Sequence, residues 1–189
     1  LEESVIACRN AMRTEPPEYT DEEFQKSLAR AIKLTQASAN GKVKCHDNYL
    51  TGIRVSFDVV YPQYWTPEFQ RYHFADIVTS SSKMHRLCKM DLRKSCNKYV
   101  DERQIVVLQE CVDKYNDDPS YENFMRMISN CPLGIELFMR VSTNYKQLQT
   151  IYFQRKNHRL KEDWGAFTDF IENLPYFNEL ILGKTEEEQ

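Results

Sequence analysis

Apolar residues recur at helical spacing in some stretches of this chain and alternate in others. Phe24, Leu28 and Ile32 repeat every four residues behind Thr20-Asp21-Glu22-Glu23, a T-x-x-E capping box, so a helix with one apolar face is expected there. Asn40-Gly41 marks a turn after it. Ile53, Val55, Phe57, Val59 and Tyr61 alternate with Arg54, Ser56, Asp58 and Val60, the pattern of a half-buried strand, and Pro62 ends it. Thr66-Pro67 suits an N-cap with proline at the first helical position, predicting a helix that carries Phe69, Arg71, Tyr72 and His73. Ser80-Ser81-Ser82 reads as a loop. Ile105, Leu108, Val112 and Tyr115 predict another helix. Asp118-Pro119 opens a further one bearing Phe124, Met127, Ile128 and Cys131, which Pro132 and Gly134 break. Ile135, Leu137, Met139 and Val141 alternate as a second strand. Helices are expected from Asn144 and from Asp163 to Leu174, with a frayed acidic end at Glu186 to Glu188. Long helices, few strands, no internal repeat and no long linker predict an α+β fold in one domain over 1–189.

Composition narrows the class. With 189 residues, 41% hydrophobic and 28% charged, the chain suits a globular domain able to bury a core. No apolar run is long enough to cross a membrane, and no signal-peptide pattern is visible. Cys8, Cys45, Cys88, Cys96, Cys111 and Cys131 form no C-x-x-C pair, which argues against a zinc ribbon or a thioredoxin-type motif. They read as reduced thiols of a cytoplasmic protein. The net charge of −3 hides an asymmetry: residues 1–30 hold seven acids against four Lys/Arg, whereas 83–98 hold six Lys/Arg and only Asp91. Residues 144–161 carry Lys146, Arg155, Lys156, Arg159 and Lys161 with no acid. Two short basic stretches on an acidic chain suit a small anionic ligand better than a long nucleic acid, or else are solvated faces.

Phosphate loops, dinucleotide fingerprints, serine-hydrolase elbows and H-E-x-x-H are all absent. His46, His73, His85 and His158 have no metal-ligand spacing, so no metal site is expected. Two stretches carry more. From Arg71 to His85 the chain gathers hydroxyls and cations, which suit charge-assisted bonds to a phosphate or carboxylate; a Ser-rich turn with solvated Lys83 and Arg86 fits as well. Asn144, Leu148, Ile151 and Arg155 share one helix face. That face suits either a core-directed stripe with polar ends or the floor of a site for a planar ligand.

Together the two stretches resemble the flavin-dependent thymidylate synthase family. That family shows a strand, then R-H-R-x-x-S-x-N-E-x-S-x-R-Y, and later a Pro-Leu, a strand and an Asn-x-Arg-x-Leu helix with a further Arg. Here Arg71 falls on the first Arg, Ser81 on the second Ser and Lys83 on the following Arg. Pro132-Leu133, Asn144, Lys146, Leu148 and Arg155 follow the second block, and His46 falls where the family has a His near the flavin. The blocks 46–84 and 132–155 align without gaps over about a third of the chain. Asn144 to Phe177 also resembles proteins of phages and prophages. The departures are Tyr72 and His73 for His and Arg, Asp76 for the first Ser, Val78-Thr79 for Asn-Glu, and Met84 for Tyr. An upstream family Arg falls on Ile128, with Arg126 close by.

The resemblance implies a small antiparallel sheet packed by long helices, and a homotetramer with sites between chains. It implies that His46, Arg71, Asn144 and Lys146 hold FAD, and that Ser81, Lys83 and Arg155 meet deoxyuridine monophosphate. An active protein would use NADPH and methylenetetrahydrofolate for methyl transfer; no catalytic residue is assigned. The alternatives are an inactive, phage-type nucleotide-binding or protein-interaction module on the same fold, and an unrelated helical interaction domain.

Overall fold

The computed structural model describes residues 1–39 and 46–185. The expected turn at Asn40-Gly41, Cys45 and the acidic end at Glu186 to Glu188 lie outside them. In chain order the elements are α1 (Glu2–Ala7), α2 (Asp21–Ala39), β1 (Arg54–Pro62), α3 (Thr66–Phe69), β2 (Asp76–Ser80), α4 (Lys83–Arg86), α5 (Glu102–Asp117), α6 (Tyr121–Ser129), β3 (Glu136–Asn144), α7 (Tyr145–Arg155) and α8 (Lys161–Glu172). A π-helical turn, Phe177–Leu182, follows α8. The strand order is β1-β3-β2. Pairing is antiparallel: Tyr145 N–H donates to Ile53 O, Gln63 N–H to Ile135 O, and Ser81 N–H to Phe138 O.

The chain divides into two compact units. The first comprises Leu1–Ser56, Phe74–Asp76 and Ser142–Gln189. In it α1 packs on α2, α7 on α8, and the π-helical turn on α2 and α7. Thr20 Oγ1 accepts from Glu23 N–H at 3.2 Å, so the capping residue is as expected. The Glu23 carboxylate instead pairs with Arg9 and Arg13; the Arg13 hydrogen bond, with the positive charge of both, holds it below the usual carboxylate range. Phe24, Ser27, Ala31 and Leu34 form a buried line along α2, with Thr35 buried beside it, while Leu28 and Ile32 are half-buried at its edge. Spacings of three and four alternate along it, as 3.6 residues per turn require. Gly183 has φ +68°, and a Cβ there would lie 2.7 Å from Gln36 N; only glycine lets the chain end close against α2.

The second unit comprises Phe57–His73 and Ile77–Val141. Its core is Leu87, Leu92, Ile105, Leu108, Val112, Met127 and Ile135, with half-buried Cys88, Cys96, Cys111 and Cys131 around it. These four and Cys8 are free thiols. Asp101 caps α5 and Ser120 caps α6, so the helix after Asp118-Pro119 begins at Tyr121, and Cys131 lies past its end. Tyr61, Trp65, Phe69 and Tyr72 form a chain of ring contacts; Trp65 and Phe69 stack at 4.7 Å.

Three expectations need correction. The helix from Thr66 ends at Phe69, so Arg71, Tyr72 and His73 lie in the turn after it; Thr66 is its first residue rather than its cap. Phe69 and Tyr72 are in the ring cluster, with centroids 6.3 Å apart. Ser80 belongs to strand β2 rather than to a loop; only Ser81 and Ser82 are irregular. Every residue of β2 is exposed, so no alternation of burial marks it in sequence.

Candidate functional site

Strand β3 ends where α7 begins, and Asn144 makes the join. Its side chain, 4% exposed, accepts from Gln147 N–H at 2.9 Å and so caps α7. Gln147 turns the other way: its Oε1 accepts from Phe74 N–H at 3.3 Å, while Thr143 Oγ1 donates to Phe74 O at 2.8 Å. Both backbone groups of Phe74 are therefore held from the start of α7. Sequence reasoning missed this clamp, although the spacing N-x-x-Q from Asn144 to Gln147 is a helix-start signal that could have flagged it.

Lys146 is the second residue of the helix. Its Nζ lies 2.5 Å from Asp47 Oδ2 and 3.1 Å from Gln149 Oε1. Gln149 in turn donates to Ile181 O at 3.1 Å. Asp47 is 0% exposed, and its Oδ1 has no hydrogen-bond partner among the described residues. Nothing in the local pattern marked Asp47, because its partner is 99 residues away. His46, beside it, is exposed.

Arg155 ends α7. At ~1.5 Å per residue the helix's 11 residues separate it from Asn144 by about 16 Å. Between them Leu148 and Ile151 are 0% exposed, so the shared face is a core stripe and not a ligand floor. The Arg155 guanidinium lies over the Trp164 ring, 4.5 Å from its centroid.

His46, Asn144, Lys146 and Arg155 all belong to the first unit; Arg71, Ser81 and Lys83 belong to the second. Arg71 is exposed in the turn after α3. Ser81 is half-buried; its Oγ accepts from Phe138 N–H at 3.1 Å, completing the pairing of β2 with β3. Lys83 Nζ donates to Gln63 Oε1 at 2.6 Å. Burial pushes the Cys131 thiol up, and the positive charge of Lys83 opposes that shift. Asp76 is exposed at the start of β2, and Arg126 is paired with Glu122 at 2.8 Å. No cluster of three or more metal-ligating side chains occurs among the described residues, nor a helix long and apolar enough to cross a membrane.

No protein-family model matches the chain, and no curated protein matches it in sequence. Its fold does match solved structures. The flavin-dependent thymidylate synthase ThyX from Helicobacter pylori, complexed with FAD and dUMP, agrees with a TM-score of 0.71 at 14% identity, over 100% of this chain and 95% of that one. A second structure of that protein with FAD and dUMP gives 0.71 and 14%, over 94% and 90%. The chain has the fold of a flavin-dependent thymidylate synthase. On this thymidylate synthase fold the two motif blocks fall on β1–α4 and on β3–α7. Within the first, Tyr72 stands in place of the motif's His and is 6% exposed, against Phe69 at 6.3 Å. A position polar in the motif is here part of an aromatic core.

Proposed function

We propose that the chain, acting as one domain of this fold, binds a flavin dinucleotide and a uridine nucleotide at an interface between copies of itself. The reading rests on one observation, the full-length fold agreement with an enzyme complexed with FAD and dUMP. Of the residues that the motif assigns to flavin, Arg71 and His46 are each exposed, and the Arg71 guanidinium suits an anionic group of the cofactor. Asn144 and Lys146 already serve the fold, as the cap of α7 and the partner of Asp47. Bound reduced flavin would supply a hydride; the chain's own part is to hold and orient the nucleotides. Ser81, Lys83 and Arg155 are assigned to the uridine nucleotide, with NADPH and methylenetetrahydrofolate as co-substrates of an active, cytoplasmic homotetramer.

A second reading, nucleotide binding without methyl transfer as in a phage-type relative, is favoured by the burial of Tyr72. One experiment separates the two. Purified protein is mixed with FAD, desalted and scanned, then titrated with dUMP. Retained flavin at one per chain supports the first reading, and turnover with the co-substrates completes it. Nucleotide binding without retained flavin supports the second, and neither form of binding overturns both.

A further inference from the structure

Lys146 stands where the motif carries Arg, and an ammonium on a flexible stem lacks the rigid fork of a guanidinium. Its neighbours supply the rigidity instead. Nζ donates to Asp47 Oδ2 at 2.5 Å and to Gln149 Oε1 at 3.1 Å. Both acceptors are themselves held. Asp47 is 0% exposed, and Gln149, 6% exposed, donates to Ile181 O at 3.1 Å. All four residues belong to the first unit. An ammonium has three N–H groups, and among the described residues two of them go to these acceptors. Fixing two directions of a tetrahedral nitrogen fixes the third.

Burial and charge say what that third N–H can meet. The Lys146 side chain is 34% exposed and that of Asp47 0%, so a ligand reaches the cation and not the anion. The carboxylate still acts through space. At 2.5 Å from Nζ it offsets much of the ammonium's field, and an anionic ligand group gains little there. A directed N–H keeps its value toward an acceptor oxygen that carries no charge.

We propose that Asp47 and Gln149 are positioning residues that aim Lys146 at an uncharged acceptor oxygen of the flavin cofactor, a ring carbonyl or a ribityl hydroxyl, and not at its diphosphate. The inference rests on the flavin reading and adds to it, since the motif assigns neither Asp47 nor Gln149. It also gives Lys146 a task toward the cofactor that its ion pair serves, because the same contacts that stabilise the fold set the direction of the donor.

The test is fluorescence titration of the full chain with FAD at about 0.05 M and about 0.5 M salt. Lys146→Met/Asp47→Asn removes the donor without changing the net charge of the pair, and Gln149→Leu removes one tether and no charge. The double variant should weaken FAD at least about tenfold. The factor should be the same at both salt concentrations, because screening acts on charges and not on a bond to a neutral oxygen. Gln149→Leu should weaken FAD about fivefold, although Gln149 is too buried to touch the cofactor. Asp47→Ala should do the same at the higher salt, where the uncompensated ammonium is screened. Melting curves establish that each variant is folded. The visible bands of bound FAD tell the two oxygens apart: a shift between wild type and Gln149→Leu assigns the ring carbonyl, and weaker binding with unshifted bands assigns the ribityl hydroxyl. Unchanged FAD affinity in the folded variants confines these residues to the fold and overturns the proposal. So does a loss in the double variant that shrinks as salt rises, the mark of a diphosphate contact. A wild-type chain that binds no FAD overturns the flavin reading itself, and this inference with it, so wild type alone tells the two failures apart.

Discussion

Lys146 Nζ lies 2.5 Å from Oδ2 of Asp47, a carboxylate with 0% of its surface exposed. The lysine side chain is 34% exposed, so water reaches the cation but not the anion. Removing the cation would leave a buried charge without compensation, on a group whose second oxygen has no donor among the described residues. Lys146→Met is therefore expected to destabilise the first unit by about 3 kcal/mol, the low end of the buried-pair range because the lysine is partly wet. Adding Asp47→Asn should recover much of that loss. Urea unfolding of both variants checks it; a loss below about 1 kcal/mol would class the pair with ordinary surface bridges. Arg140–Asp58 is the internal comparison, at 2.7 Å with both partners exposed, and Asp58→Ala should cost no more than about 1 kcal/mol.

Asn144 carries two roles that a pair of substitutions can separate. Its Oδ1 caps α7, and the motif assigns the same side chain to flavin. Asn144→Ala should cost about 1 kcal/mol from the lost cap. Asn144→Ser keeps a capping oxygen and should be close to wild type in stability. Unfolding curves measure the first role and flavin retention the second. A serine variant that is stable but loses flavin would place the amide on the cofactor. One that keeps flavin would confine Asn144 to the helix start.

How far these residues could be read from sequence depends on where each one's partner lies. The alternation from Ile53 to Tyr61 located β1, because burial along a strand repeats every second residue. It also placed Phe57 on the inner face, but not the depth of its cover: Phe57 is only half-buried. The cap at Thr20 was legible because its partner is three residues away, and the helix start at Asn144 was read without its cap. Asp47 was not, since its burial and its cation both depend on the fold. Nor was β2, which is exposed along its whole length. The two motif blocks carried the fold, yet three of their residues, Tyr72, Asn144 and Lys146, turned out to serve packing, a cap and an ion pair.

The Cys8 thiol makes stability depend on pH at the alkaline end. Burial pushes it from 9.0 up to about 11, against the pull of Arg30, Arg9 and Arg13, and its Sγ lies 3.6 Å from Ser27 O. The folded state thus holds this proton more tightly than the unfolded chain. Its contribution is fully present below pH 9 or so, declines as the unfolded thiol ionises, and is lost as pH rises through about 11. Tyr145 and Tyr152, pushed up to about 12 by burial, act in the same direction over a higher range. Urea midpoints at about pH 8 and about pH 10.5 should fall for wild type and fall less for Cys8→Ala. Equal falls would show that the Cys8 thiol is not protected. At about pH 8 a thiol reagent should also modify Cys8 slowly, because the thiolate is scarce.

Gly165 offers a substitution expected to raise stability. It lies in α8 with an ordinary helical backbone, and a Cβ would meet nothing within 4 Å. Alanine therefore adds no clash, restricts the unfolded chain and raises helix propensity, for a gain of about 1 kcal/mol. Gly183 is the contrast: its positive φ and the 2.7 Å approach to Gln36 N mean that Gly183→Ala must displace backbone and should destabilise by more than that. Thermal melts of the two variants should therefore move in opposite directions. A Gly165→Ala protein that melts below wild type would mean that the space beside the glycine is filled by side chains and is not open.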